Sequence, residues 1–272
     1  VYEARDNRLN RSLWGHLRYA SQYWAFFLYW VWRGILTRYS QTNVGILWAI
    51  LQPVLSSLVY IVVFSLIVNV STAPVPYPLF VLTGLIMWTY FHRIVFTSAS
   101  TIISNLDIIT RVRFPREFLP LAVMVESWID LLFGTAILAL LFLLYQQPVT
   151  PYMLIAIWPF LALTALALGI GFFFAGLASS IRDLFHIVPI LLQLTLYITP
   201  ILYPASIVPG SLQAVLLLNP LATIFAAFQQ TLLFGRFTLG IEMILASAVS
   251  LLVLLLGYRF FKRVEWRFAD RL

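Results

Sequence analysis

Apolar and polar residues fall in blocks tens of residues long rather than alternating every few positions. Three stretches carry no Asp, Glu, Lys or Arg at all: residues 39–92, 131–181 and 184–235. A helix needs about 20 predominantly apolar residues to cross a bilayer. Each stretch therefore holds two crossings, or one crossing and a further element at membrane depth. "STAPVPYP" (71–78) splits the first, because three prolines cannot share one helix interior. "QQPVTP" (146–151) splits the second. The pattern predicts an all-α, polytopic chain with six transmembrane helices at 44–69, 79–100, 118–145, 152–180, 184–203 and 239–261.

Two segments depart from this rhythm. "LQAVLLLNPLATIFAAFQQTLLF", within 204–237, is apolar enough to mimic a span, but Pro220 leaves halves of about ten residues. Such pieces suit short re-entrant or interfacial helices between the fifth and sixth spans. "YWAFFLYWVWRGILTRYS" (23–40) is dense in aromatic residues and ends in Arg33 and Arg38. Trp and Tyr favour the headgroup level, where both arginines stay hydrated, so an amphipathic interfacial helix is predicted rather than a crossing. The expected organisation is a cytosolic N-terminus with this helix over 1–40, a transmembrane domain over 41–261 and a cytosolic tail over 262–272.

Composition agrees: 62% of the residues are hydrophobic and only 10% charged, too few charges to cover a soluble surface. Cysteine is absent, which excludes disulfides and thiolate metal sites. The first twenty residues are charged and aromatic, without the apolar core of a signal peptide. A net charge of +7 would suggest nucleic acid in a soluble protein, but here it reports topology. With the N-terminus inside, every one of the 17 Lys and Arg residues except Arg236 lies on the inner side. A seventh crossing within 204–237 would turn the basic C-terminus outward, so both termini are predicted to be cytosolic.

Candidate chemistry is sparse. The chain has no G-x-x-x-x-G-K-[ST] loop, and its three histidines are not at ligand spacing. The glycines of "GIGFFFAG" (169–176) suit close helix packing. At membrane depth the ionisable residues are Arg93, Glu126, Asp130 and Glu242. Glu126 and Asp130 stand four apart on one helix face. They read either as a proton or cation relay or as a buried ion pair with Arg93, the reading preferred here. Aromatic residues make up 16% of the chain. Trp48, Tyr60, Trp88, Tyr90, Phe91, Tyr197 and Tyr203 are candidates to line a path for an uncharged sugar polymer, or else they face lipid and neighbouring helices.

A permease without a nucleotide site needs energy from elsewhere, and "NLDIITRVRFPREFLP" (105–120) offers a partner a handle. It reads as a short polar helix capped by Asn105 and carrying Asp107, then Arg111, Arg113, Phe114, Pro115 and Arg116. The arginines can anchor lipid headgroups or pair with carboxylates on a docked protein.

"RYSQTNVGILWAILQPVL" (38–55) resembles the opening of the permease subunits of ABC-2-type polysaccharide exporters, which move O-antigen, capsule or teichoic acid. Arg38, Tyr39, Thr42, Gly45, Leu47, Trp48 and Pro53 match that pattern, and Val44 stands where leucine is usual. "FPRE" with "LP" (114–120), "RD" (182–183), "TPILYP" (199–204) and "NP" (219–220) follow in the family's order. The resemblance implies a homodimer around a central channel, with two copies of a separate ATP-binding subunit docked below. It implies that the interfacial helix and the loop over 104–114 touch that subunit, and that spans one, two and five line the channel. ATP and Mg would sit on the partner, with no catalytic residue, cofactor, metal or nucleic acid on this chain. A lipid-linked glycan, O-antigen foremost, would be the cargo, with Arg33 and Arg38 at the headgroups and Arg38 near the carrier's diphosphate. The implied location is the bacterial inner membrane. An ABC-2 exporter of a drug or small lipid, an ion-coupled transporter and a membrane scaffold remain as alternatives.

Overall fold

The computed structural model describes residues 22–40, 44–67, 70–112, 114–178, 181, 183–210, 213, 216, 218–236 and 240–265. Among them there is helix and no strand. α1 (Trp24–Ser40) leads through a tight turn at Gly45–Leu47 into α2 (Trp48–Tyr60), which runs on as a π-helical stretch, Ile61–Ile67. Then come α3 (Tyr77–Ser104), the short α4 (Leu106–Arg111) and α5 (Phe118–Leu144). A 3-10 segment, Pro151–Ala156, leads into α6 (Ile157–Ala178), followed by α7 (Leu184–Ile198), α8 (Pro220–Leu233) and α9 (Ile241–Val264).

Five of these helices are long and apolar enough to cross a membrane: Trp48–Ser65, Tyr77–Ser104, Phe118–Leu144, Pro151–Ala178 and Ile241–Val264. With the shorter apolar α7 and α8 the count reaches seven. The expected all-helical polytopic architecture is therefore present. The fifth predicted span, 184–203, stops earlier than expected, at Ile198. Thr199 takes an extended conformation (φ −83°, ψ 134°), as a residue before proline prefers, and Pro200 ends the helix. Fifteen residues rise only about 22 Å, less than the hydrocarbon thickness.

α3 is the centre of the bundle, buried along most of its length. α6 and α9 meet through glycines: a Cβ on Gly257 would lie 2.0 Å from the carbonyl oxygen of Gly169. Bare backbone on both helices permits this approach, and dispersion between them replaces a hydrophobic drive that lipid does not supply. Gly171 abuts Ser98 of α3 and Gly176 abuts Phe260 of α9, so "GIGFFFAG" does serve packing. Three hydroxyls inside the bundle are satisfied within their own helices: Thr83 donates to Leu79 O, Ser127 to Val123 O and Ser250 to Ala246 O.

The end of the bundle opposite α4 is tied by α8. Asn219 accepts from Leu221 N at 3.0 Å, capping α8, and its Nδ2 donates to Thr199 Oγ1 at 3.2 Å. At the other end of α8, Leu233 O accepts from Gln147 Nε2 at 2.8 Å. Tyr77 donates to Leu202 O at 2.8 Å, and the buried Gln229 reaches the carbonyls of Phe80 and Ile201. Thr199 ends α7, Tyr77 begins α3 and Gln147 follows α5, so both ends of α8 lie at the same end of the bundle.

Candidate functional site

α1 lies against the opposite, basic end. Phe27, Trp30 and Val31 are buried, while Trp24, Leu28, Tyr29, Trp32 and Leu36 are exposed, a split at helical spacing. The buried stripe stacks on the segment after α4. Phe26 and Trp30 lie 4.7 Å and 6.1 Å from Phe114 between ring centroids, and Phe27 lies 5.1 Å from Phe118. Arg33 stays at the surface, its guanidinium 5.1 Å from the Trp30 ring centroid.

Two turns beyond Trp30 the same face meets charge. Arg38 Nη1 donates to Asp130 Oδ2 at 2.6 Å, and Arg93 Nη1 bonds the same oxygen. Arg93 Nη2 also lies 3.8 Å from Glu126 Oε2. The structure thus brings Arg93, Glu126 and Asp130 together and adds Arg38, whose side chain is turned onto Asp130 and only 29% exposed. Two carboxylates face two guanidiniums, so no net charge is stranded at this depth. The Glu126 carboxylate lies against the backbone of α1 at Gly34, where a Cβ would sit 2.1 Å from Oε1.

A cleft of about 490 Å³ opens between α1, α2, α3 and α5 beside this network. Arg33, Thr37, Arg38, Gln52, Thr89, His92, Arg93, Ser100 and Thr101 line it, with Glu126 as an acidic member. The buried Arg93 Nε has no hydrogen-bond partner among the described residues. The lining is rich in cationic and hydroxyl donors, which suits a polar or anionic group at the membrane surface.

The predicted short helix is present as α4, with Ile109 buried and Asp107, Thr110 and Arg111 exposed. The expected Asn105 cap is not formed. Its backbone ends α3, with N–H donating to Ile102 O, and its side chain donates to Thr101 O at 2.8 Å. The side chain therefore satisfies a carbonyl of the preceding helix rather than an N–H of the next. Phe114 and Pro115 are buried, Arg116 bonds the carbonyl of Glu265, and Arg113 lies outside the described residues. Lys262 joins this end of the bundle by ion pairs to Glu117 at 2.6 Å and Glu265 at 3.1 Å. Burial pushes the Glu265 carboxyl above the usual carboxylate range, against the pull of Lys262.

The seven aromatic candidates divide. Trp88, Tyr90 and Phe91 are packed inside the protomer rather than presented on it. The Tyr90 ring lies tilted against Phe160, 5.2 Å between centroids, and its hydroxyl shares a hydrogen bond with Thr164. α3 is surrounded by other helices, so rings there have neighbours on every side. Trp48 and Tyr197 are exposed, and Tyr60 and Tyr203 are half-buried, with Tyr203 donating to the carbonyl of Tyr197. Sequence reasoning missed Gly34, Gln52 and the Lys262–Glu117 pair. A glycine one turn before Arg38 in an otherwise bulky helix was the signal available for the first.

Helices long and apolar enough to cross a membrane, a surface helix and loop stacked at one end, and a polar cleft beneath them define a polytopic membrane protein. The family model described as "ABC-2 type transporter" matches residues 25–233. The "O-antigen export system permease protein RfbA" of Klebsiella pneumoniae is 30% identical over 244 residues, 88% of this chain and 91% of that protein. The Myxococcus xanthus protein of the same name is 29% identical over 253 residues, covering 92% and 96%. The "Polysialic acid transport protein KpsM" of Escherichia coli is 25% identical over 240 residues, covering 86% and 91%. The chain belongs to the ABC-2 type transporter family, as its multi-pass membrane permease. In that family the permease is not the catalytic component, and it works with an ATP-binding subunit.

Proposed function

We propose that the chain forms the channel of an ATP-driven exporter that carries a lipid-linked polysaccharide, O-antigen foremost, out of the cytosol. The observation that carries this reading is similarity over nearly the whole chain to proteins named for the export or transport of two glycan classes. Two copies would enclose the path, each contributing six crossings, with α8 as a re-entrant element whose ends share one side. The basic end, with α1, α4 and Lys262, then faces the cytosol together with both termini. The ATP-binding subunit docks on α1 and on the loop carrying Asp107, Arg111, Phe114 and Arg116. Its stroke moves the block they belong to against spans one and five. The glycan passes exposed rings such as Trp48 and Tyr197, and Arg33 and Arg38 stand at the headgroup level, where a carrier diphosphate enters the cleft.

Deleting the chain from its host tests this directly. Lipid-linked polysaccharide is expected to accumulate in the inner membrane while surface polysaccharide disappears, both read by glycan immunoblot. Unchanged surface polysaccharide overturns the proposal.

A further inference from the structure

α3 is buried along most of its length, yet from Thr89 onward one face of it is not. Thr89, Arg93, Thr97, Ser100 and Ser104 recur every three or four residues along that face, the spacing of one side of a helix. From Thr89 to Ser104 this polar ladder rises about 22 Å. A membrane helix does not turn such a face to hydrocarbon; it faces a cavity or a polar ligand. Here all five residues line the cleft of about 490 Å³, a size suited to a small ligand.

The charge of the lining selects among ligands. Asp130 and Glu126 match Arg93 and Arg38. Arg33 adds a third guanidinium to the cleft, so with His92 neutral the lining is positive by one guanidinium. A phosphodiester, with its single negative charge, balances that, and guanidinium binds phosphate with well-directed bonds. A diphosphate bears more charge than the lining offers, and the ammonium of phosphatidylethanolamine is repelled by the guanidiniums. A glycerol head brings hydroxyls for the ladder to bond. The walls also suit acyl chains: Trp32 and Leu36 of α1 and Leu51 and Leu55 of α2 are exposed within one turn of the lining residues Arg33 and Gln52.

We infer that the cleft is a binding site for an anionic phospholipid with one phosphodiester and a hydroxylated head, of the phosphatidylglycerol kind. Its phosphate lies between Arg33 and Arg93, its head hydroxyls reach Thr97 and Ser100, and its chains run along α1 and α2. A carrier diphosphate that enters the cleft has to displace this lipid. The site itself does not depend on the identity of the cargo.

The complex of the full chain with its ATP-binding subunit is stripped of lipid in detergent. It is then titrated separately with phosphatidylglycerol, with phosphatidylethanolamine of the same acyl chains and with a polyprenyl diphosphate, and bound lipid is counted by native mass spectrometry. Phosphatidylglycerol is expected to bind about tenfold more tightly than either of the others. T97V/S100A, which removes two hydroxyls at little change of volume, is expected to lower that affinity toward the phosphatidylethanolamine value. R33Q alters an exposed side chain and is expected to lower it about tenfold, which decides the matter should the double variant fail to assemble. Equal affinity for phosphatidylglycerol and phosphatidylethanolamine overturns the inference. So does binding of the polyprenyl diphosphate at least as tight as that of phosphatidylglycerol, or phosphatidylglycerol held by R33Q as tightly as by the parent. Binding is read without ATP turnover or glycan, so this result and that of the deletion experiment fail independently.

Discussion

The carbonyl oxygen of Gly169 lies where a side chain on Gly257 would begin: a Cβ there would stand 2.0 Å from it. α6 and α9 meet at this point backbone to backbone. G257A must push the helices apart, and overpacking of this kind costs about 1–3 kcal/mol. The expected result is a lowered melting temperature of the detergent-purified protein, followed by the scattering onset of a heated sample. Gly210, with nothing within 4 Å of its Cβ position, is the control, and G210A should melt like the parent.

Asp130 and Glu126 differ in what their loss exposes. Asp130 accepts from both Arg38 and Arg93, whereas Glu126 lies 3.8 Å from Arg93. D130N leaves Arg93 without its close counter-charge, and breaking a buried pair from one side costs about 3–5 kcal/mol. E126Q should cost less, and the order of the two melting temperatures checks it. An uncoupler separates ATP-driven export from ion coupling. With each carboxylate matched to a guanidinium, collapse of the proton gradient by an uncoupler in ATP-supplied vesicles should leave transport by the wild type intact.

The spans were legible because a crossing demands a long charge-free run, a signal few other elements produce. Phe118–Leu144 falls within one residue of its expected limits. α7 was less legible, since apolar residues continue to Leu202 while Thr199 and Pro200 already end the helix. The burial of Trp88, Tyr90 and Phe91 could not be read at all. In a membrane both the core and the lipid face are apolar, so hydrophobicity does not separate inside from outside. The pairing of Arg38 with Asp130 joins residues 92 positions apart, and either alone reads equally well as a headgroup contact or a relay.

α4 presents Asp107, Thr110 and Arg111 outward while Ile109 anchors it. If an ATP-binding subunit docks there, reversing one exposed charge weakens the contact without disturbing the fold. R111E is expected to reduce co-purification of that subunit about tenfold, at an unchanged melting temperature of the permease alone. I109A should instead destabilise the loop itself, seen as faster proteolytic nicking between α3 and α5.

Tyr197 and Tyr90 give opposite expectations for the same substitution. Tyr197 is 51% exposed on α7, and removing its ring leaves no cavity. Tyr90 is 1% exposed, packed against Phe160 and bonded to Thr164, so its removal leaves a hole in the centre of the bundle. Y90A should cost about 3–5 kcal/mol and lower the melting temperature, with export falling only as folded protein is lost. If the proposed glycan path runs past Tyr197, Y197A should keep the parent's melting temperature and slow export per folded complex, because a passing sugar ring loses an aromatic face to slide on. Export normalised to purified permease measures this. A Y197A protein that exports at the parent's rate would remove Tyr197 from the glycan's path and leave it as a lipid-facing ring.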